Sequence, residues 1–306
     1  MRRAEATMVP PAEPRSYYGR PVIKAPVWKP EIPWYLFAGG LAGASNVLAW
    51  AADVSGNRRL GRNARLIALA GGTASPVLLI TDLGVPARFY NMMRVFKVAS
   101  PMNLGTWILA ATGTAAAAAV AHETLGLSGP LGRIARGLSA LFGLPLATYT
   151  AALLSDTAVP VWHEGRRELP FVFAGSAAAS AGAAAAIVTP ERDAGPARRL
   201  AVLGVLAGGA SMRLMEHRLG ELGEPYRKGA AGRFAKLAQG LSIAGALVMA
   251  ARGRRHPGAI AGGGLILGGA ACQRWAIFKA GFQSAADPKY TVRPQRARLE
   301  ASHGHI

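Results

Sequence analysis

LPFVFAGSAAASAGAAAAIVTP, residues 169–190, is 22 residues long and contains no Asp, Glu, Lys, Arg or His. A helix rises about 1.5 Å per residue and a bilayer's hydrocarbon core is about 30 Å thick, so roughly 20 apolar residues cross it. The many small residues suit a helix packed closely in lipid, where tight backbone approach replaces the hydrophobic drive for association. Residues 34–52, 103–121 and 137–155 are equally free of ionisable side chains, which gives four spans. Four shorter apolar stretches complete the pattern. They are 66–81, ending at Asp82; 200–212, running into Arg213, Glu216 and His217; and 237–251 and 257–273, both flanked by Arg or Lys. Ends that snorkel or face protein extend these to full length. The expected fold is an all-α integral membrane protein with about eight transmembrane helices.

The composition agrees. The chain of 306 residues is 51% hydrophobic and only 17% charged, too apolar for an ordinary soluble domain of this length. Its net charge of +19 would suggest a polyanion partner in a soluble protein. With eight spans both termini share one side, and the tails plus every second loop collect 23 of the 35 Lys and Arg. The positive-inside rule then predicts a multi-pass protein of the cell (inner or plasma) membrane with cytoplasmic termini. The basic residues are spread over all loops and both tails, as topology and anionic lipid require, and form no nucleic-acid-binding stripe.

Residues 1–32 carry prolines at 10, 11, 14, 21, 26 and 30 and read as an extended basic tail, not a signal peptide, because no apolar region follows Arg2 and Arg3. With Tyr17, Tyr18 and Trp28 it is either a partner-docking strap or a solvated tail. The domain division is therefore an N-terminal tail (1–32), a transmembrane domain (33–283) and a C-terminal tail (284–306). Three small-xxx-small pairs, Gly39 and Gly43, Gly204 and Gly208, and Gly264 and Gly268, are candidate helix contacts, although a chain with 38 glycines produces such spacings by chance.

Ionisable groups at span edges are the default functional candidates, because lipid tolerates them poorly. Asp82 closes the second stretch, either paired with Arg88 or Arg94 or as a proton-exchanging carboxylate beside a ligand. Tyr149 lies within the fourth; its hydroxyl needs a partner, which is either a backbone carbonyl or a quinone carbonyl. Arg213 and Glu216, three apart on one helix face, are expected to neutralise each other. His122, His163, His217 and His256 lie towards loop ends, so no axial pair for haem is presented at mid-membrane. The single cysteine, Cys272, excludes an internal disulfide, an iron–sulfur cluster and a Cys-x-x-Cys zinc site. There is no Walker loop, no His-Glu-x-x-His and no Gly-x-Ser-x-Gly.

Three motifs in order, PWYLFAGGLAG (33–43), DLGVPARFYNM (82–92) and SPMNLGTW (100–107), resemble the membrane subunit of polysulfide reductase and its NrfD-like and PsrC-like relatives. Tyr149-Thr150, Leu153-Leu154-Ser155, Pro160-Val161-Trp162 and AGFQSAADP (280–288) extend the resemblance over most of the chain from residue 33. It implies an eight-helix subunit around a four-helix bundle, with the first four spans (about 33–155) forming a quinone-binding bundle. Such a subunit anchors an iron–sulfur, ferredoxin-like subunit and a molybdopterin catalytic subunit, and passes electrons between them and the membrane quinone pool. Menaquinone or ubiquinone would be an exchangeable substrate, with no haem or cluster in this chain. The matched positions are Trp34, Tyr35 and Arg88 for quinone binding, and Asp82 and Tyr149 for its chemistry. Ala151 stands where the family pattern leads one to expect Gly after Tyr149-Thr150. Two other readings compete: a proton- or ion-translocating subunit using Asp82, Glu123 and Glu216, and a purely structural anchor.

Overall fold

The computed structural model describes residues 20–127 and 129–303. The described residues are all helical, with no strand: α1 (Glu31–Val54), α2 (Arg58–Asp82), α3 (Phe89–Met93), α4 (Pro101–Thr124), α5 (Pro130–Ser155), α6 (Pro160–Glu164), α7 (Leu169–Val188), α8 (Gly195–Leu219), α9 (Gly229–Arg252), α10 (His256–Ala286) and α11 (Lys289–His303), with short 3-10 turns between some of them. Seven of the eight apolar stretches lie inside a long helix, and the eighth, 169–190, fills α7 and runs two residues past its end at Val188. Five of these, α2, α4, α5, α7 and α9, are both long and apolar enough to cross a membrane. The other three, α1, α8 and α10, have the length, but residues such as Asn46, Arg213 and Arg274 dilute their hydropathy. The protein is an all-α integral membrane protein.

Local sequence sets the helix starts. Asn57 caps α2 by accepting the Leu60 N–H at 3.1 Å, and its amide donates to the Asp193 carbonyl at 2.8 Å, tying two connections together. Ser100 caps α4 ahead of Pro101, whose missing N–H costs nothing in a first turn.

The long helices form two four-helix bundles side by side. In the first, α1 packs on α2 and α5, and α4 bridges α2 and α5; in the second, α7 packs on α8 and α10, and α9 bridges α8 and α10. The bundles meet along α1, α5, α7 and α10. Glycine makes the closest contacts. A Cβ on Gly43 would lie 2.5 Å from the Gly143 carbonyl of α5, and one on Gly204 would lie 2.3 Å from the Ala179 nitrogen of α7. Of the three glycine pairs, Gly39–Gly43 and Gly204–Gly208 sit at helix contacts. In Gly264–Gly268 only the second does: a Cβ on Gly268 would lie 3.7 Å from the Leu241 side chain of α9, whereas among the described residues nothing lies within 4 Å of one on Gly264.

Successive long helices run antiparallel, so one end of the molecule gathers Glu31, Asp82, Pro101, Ser155, Leu169, Leu219, Gly229 and Ala286. This termini end carries Trp34, Tyr35, Asp82 and Arg88, and the half of α5 that holds Tyr149.

Candidate functional site

The chain enters the termini end as a strap across the bundle. Trp28 stacks on Trp162 with ring centroids 5.4 Å apart and planes 23° from parallel. Trp162 is fully buried, donates its indole N–H to the Ile277 carbonyl at 2.8 Å, and lies so flat on α10 that a Cβ on Gly281 would fall 2.0 Å from its ring. The next strap residue, Lys29, gives its backbone N–H to Asp82 Oδ1 at 2.9 Å. Asp82 is the last residue of α2 and is half-buried. Its hydrogen-bond partner is therefore this N–H, and it makes no ion pair with Arg88 or Arg94 among the described residues.

Tyr149 of α5 lies against α4 where Gly105 leaves room; a Cβ there would sit 2.0 Å from the Tyr149 ring. It packs on the apolar cluster that contains Tyr35, Leu36, Leu79, Leu109 and Leu146. Tyr35 is completely buried and its hydroxyl has no partner among the described residues, and the Tyr149 hydroxyl likewise has none. With Tyr226, whose buried hydroxyl is also without a partner among the described residues, three unengaged phenol donors belong to this apolar cluster; Tyr35 of α1 and Tyr149 of α5 are the two in the first bundle, near the end closed by Asp82. Such donors can bond a carbonyl-bearing ring entering from the lipid, and a carboxylate at the rim can exchange protons with water.

The other two candidates lie apart from this group. Trp34 faces α10, edge-on to Trp275 at 6.3 Å, and is 46% exposed. Arg88 ends the 3-10 turn Pro86–Arg88 and is exposed, without an ion-pair partner among the described residues.

Sequence reasoning did not single out several residues that organise the site. Asn103 accepts the Lys97 N–H at 2.6 Å and donates to the carbonyls of Met92 and Val95, holding the loop between α3 and α4. Arg218 forks onto both oxygens of Glu168, at 2.5 and 2.6 Å, and fixes the start of α7 to the end of α8. The guanidinium holds the Glu168 carboxyl below its ordinary range. Arg274 is fully buried between α10, α7 and α1. It lies 3.7 Å over the Phe173 ring and donates to the Phe173 carbonyl at 3.3 Å, while its Nε and Nη1 have no partner among the described residues. The expected pairing of Arg213 with Glu216 is absent among the described residues.

At the opposite end Arg65 joins Asp53, at 2.6 Å, to Glu123, at 2.7 Å, beside a cavity of about 300 Å³ that His122, Arg58 and Arg136 also line. A larger, open groove of about 700 Å³ runs between Leu219–Lys228 and Lys289–Pro294 at the termini end. No group of three or more His, Cys, Asp or Glu among the described residues is placed to hold a metal ion.

A family model described as "Polysulphide reductase, NrfD" matches residues 22–215, from the strap through most of α8. The chain belongs to this family. As an NrfD-family protein it is a multi-pass membrane protein and a membrane subunit of a redox enzyme complex. No curated protein matches the chain.

Proposed function

We propose that this NrfD-family protein is the membrane anchor and quinone-reactive subunit of a multisubunit oxidoreductase. In this reading electrons pass between an iron–sulfur partner, itself bound to a molybdopterin catalytic subunit, and the membrane quinone pool. One observation carries it: in the first bundle the Tyr35 hydroxyl is buried without a partner among the described residues, and the partly buried Tyr149, whose hydroxyl likewise has none, packs against the same apolar cluster. A buried polar group without a partner costs free energy, so an open donor in an apolar setting is where a ligand oxygen would be expected.

A quinone, menaquinone or ubiquinone, would supply two-electron, two-proton redox chemistry. The chain's own residues bind, orient and deliver protons. Tyr149 and Tyr35 would donate hydrogen bonds to the ring oxygens, and the apolar walls around them would exclude water. Asp82, at the end of α2, would exchange protons between this pocket and bulk water. Arg88, on the exposed loop that follows, would bind quinone in this reading without pairing with Asp82. Trp34 opens onto the lipid and would guide the ring from the bilayer. The basic termini end, with its open groove, is the face on which partner subunits would dock, and charge placement favours the cytoplasm for it.

The competing ion-translocation reading has less support. Glu123 is already engaged by Arg65, which leaves it poorly suited to relay a proton. The test is turnover of quinone or quinol by the purified complex carrying Asp82→Asn or Tyr149→Phe. Each should lower it at least roughly tenfold, the scale of removing a positioned acid–base group, with assembly intact. Unchanged turnover in both assembled variants rejects the pocket.

A further inference from the structure

The flank of α1, α9 and α10 carries a pattern of which the redox reading uses only Trp34. On α1, Trp34 and Trp50 are each 46% exposed. They stand sixteen residues apart, about 24 Å along the helix, close to the thickness of a hydrocarbon core. Tryptophan favours the two membrane–water interfaces, so this pair marks both levels.

At the level of Trp34 an aromatic shelf extends sideways. Trp34 meets Trp275 edge-on, and Trp275 stacks on Phe234 of α9 at 5.7 Å and 20°. The antiparallel register of α9 and α10 sets Gly229 against Gln283 and Gly245 against Ile266. Continuing that register brings Arg233 level with Lys279 and Lys236 level with Trp275. The Lys279 ammonium lies 5.6 Å from the Trp275 ring centroid, while Arg233 and Lys236 are exposed. None of these three cations has an ion-pair partner among the described residues, and neither α9 nor α10 contains an Asp or Glu. Any fixed counter-charge for them comes from outside the two helices.

We propose that this edge binds the headgroup of an anionic phospholipid in the leaflet on the termini side. Lys279, Arg233 and Lys236 face its phosphate, and Trp34, Trp275 and Phe234 lie under the glycerol and first methylenes. A free phosphate would use the cations but not the shelf, and an anionic lipid uses both.

The full chain, purified in neutral detergent, is titrated with phosphatidylglycerol, phosphatidylcholine or inorganic phosphate, and retained lipid is counted by native mass spectrometry. Wild type should hold phosphatidylglycerol at least roughly tenfold more tightly than phosphatidylcholine, since each basic residue at an anionic surface contributes measurably. The triple variant Arg233→Gln, Lys236→Gln, Lys279→Gln should lose that preference, whereas Arg254→Gln with Arg255→Gln, at the other end, should keep it. If the triple variant does not stay folded, Lys279→Gln alone decides, with a loss of about threefold expected for one of three cations. Equal retention of both lipids, an unchanged preference in the basic-residue variant, or displacement of the lipid by phosphate alone overturns the proposal. So does loss of lipid preference accompanied by a co-purifying protein that the variant no longer binds, which would make the edge a protein interface.

Discussion

The Asp82 carboxylate takes its hydrogen bond from the backbone N–H of Lys29, so the strap's main chain, not its charge, closes the end of α2. A hydrogen bond to a charged group is worth about 1–2 kcal/mol at a partly exposed site, so removing the donor should open the strap about tenfold more often. Lys29→Pro should accordingly speed tryptic cleavage after Lys24 by about that factor, and Trp28→Ala, which removes the stack on Trp162, should do the same. Lys29→Gln keeps the N–H and should leave the rate after Lys24 unchanged. Equal acceleration by Lys29→Gln would mean that the side chain holds the strap.

The α7–α8 contact depends on absent side chains. A Cβ on Gly204 would fall 2.3 Å from the Ala179 nitrogen, and backbone cannot yield as a side chain can. Gly204→Ala should therefore cost about 1–3 kcal/mol, seen as a lowered thermal midpoint in detergent. Gly264 has open space and should accept Ala with no loss, or with a gain of up to about 1 kcal/mol from better helix propensity.

That contrast shows what the sequence carried. Residues 169–190 and their seven counterparts announced the helices because lipid forces long uncharged runs, and each run lies within a long helix or overruns its end by no more than two residues. The Gly-x-x-x-Gly spacing could not say which pairs touch, since 3.6 residues per turn puts Gly264 and Gly268 on one face without saying whether that face meets protein. Asp82 and Tyr149 were legible as polar groups in apolar company. Their surroundings were not, because the Lys29 N–H is a backbone donor 53 residues away and Gly105, which seats Tyr149, has no side chain to notice. Arg218 and Glu168 pair across 50 residues, a distance at which spacing carries no information.

Glu224 gives a pH prediction. Hydrogen bonds from Lys228, Lys289 and Tyr290 hold its carboxyl down to about 2 from an ordinary 4.5. A depressed folded pKa stabilises the protein above the unfolded value, and that contribution is lost as pH falls through the folded one. The gap in thermal midpoint between wild type and Glu224→Gln should be full above about pH 5 and close as pH falls towards 2. Glu168, lowered in the same direction by Arg218, should behave alike. A gap that widens on acidification would contradict both assignments.

Arg65 is 4% exposed and bridges two carboxylates from different helices, Asp53 of α1 and Glu123 of α4, with Arg136 also 3.7 Å from Asp53. Breaking a buried pair leaves charge uncompensated, which costs about 3–5 kcal/mol. Arg65→Ala should approach that loss in chemical or thermal unfolding. Adding Asp53→Asn and Glu123→Gln to Arg65→Ala should recover part of it, because the stranded charges go with their partner. Failure to recover would assign the loss to the cavity left by the arginine stem.

Arg274 inverts the same reasoning. Its guanidinium keeps its proton, yet its partners are one carbonyl and the face of Phe173, with two nitrogens unengaged. Burying it is expensive, and the α1 residue beside it, Gly40, on which a Cβ would come 3.2 Å from Nη2, offers no side chain as a partner. Methionine fills a similar volume without the charge, and replacing buried charged groups by apolar ones is often neutral or stabilising by about 1–4 kcal/mol. Arg274→Met should therefore unfold in detergent at the same temperature as wild type or higher, and Arg274→Ala lower because of the cavity. If Arg274→Met instead lowered the midpoint as much as Arg274→Ala, the two nitrogens would have to be engaged by ordered water or a bound anion. The charge would then contribute to stability, not burden it.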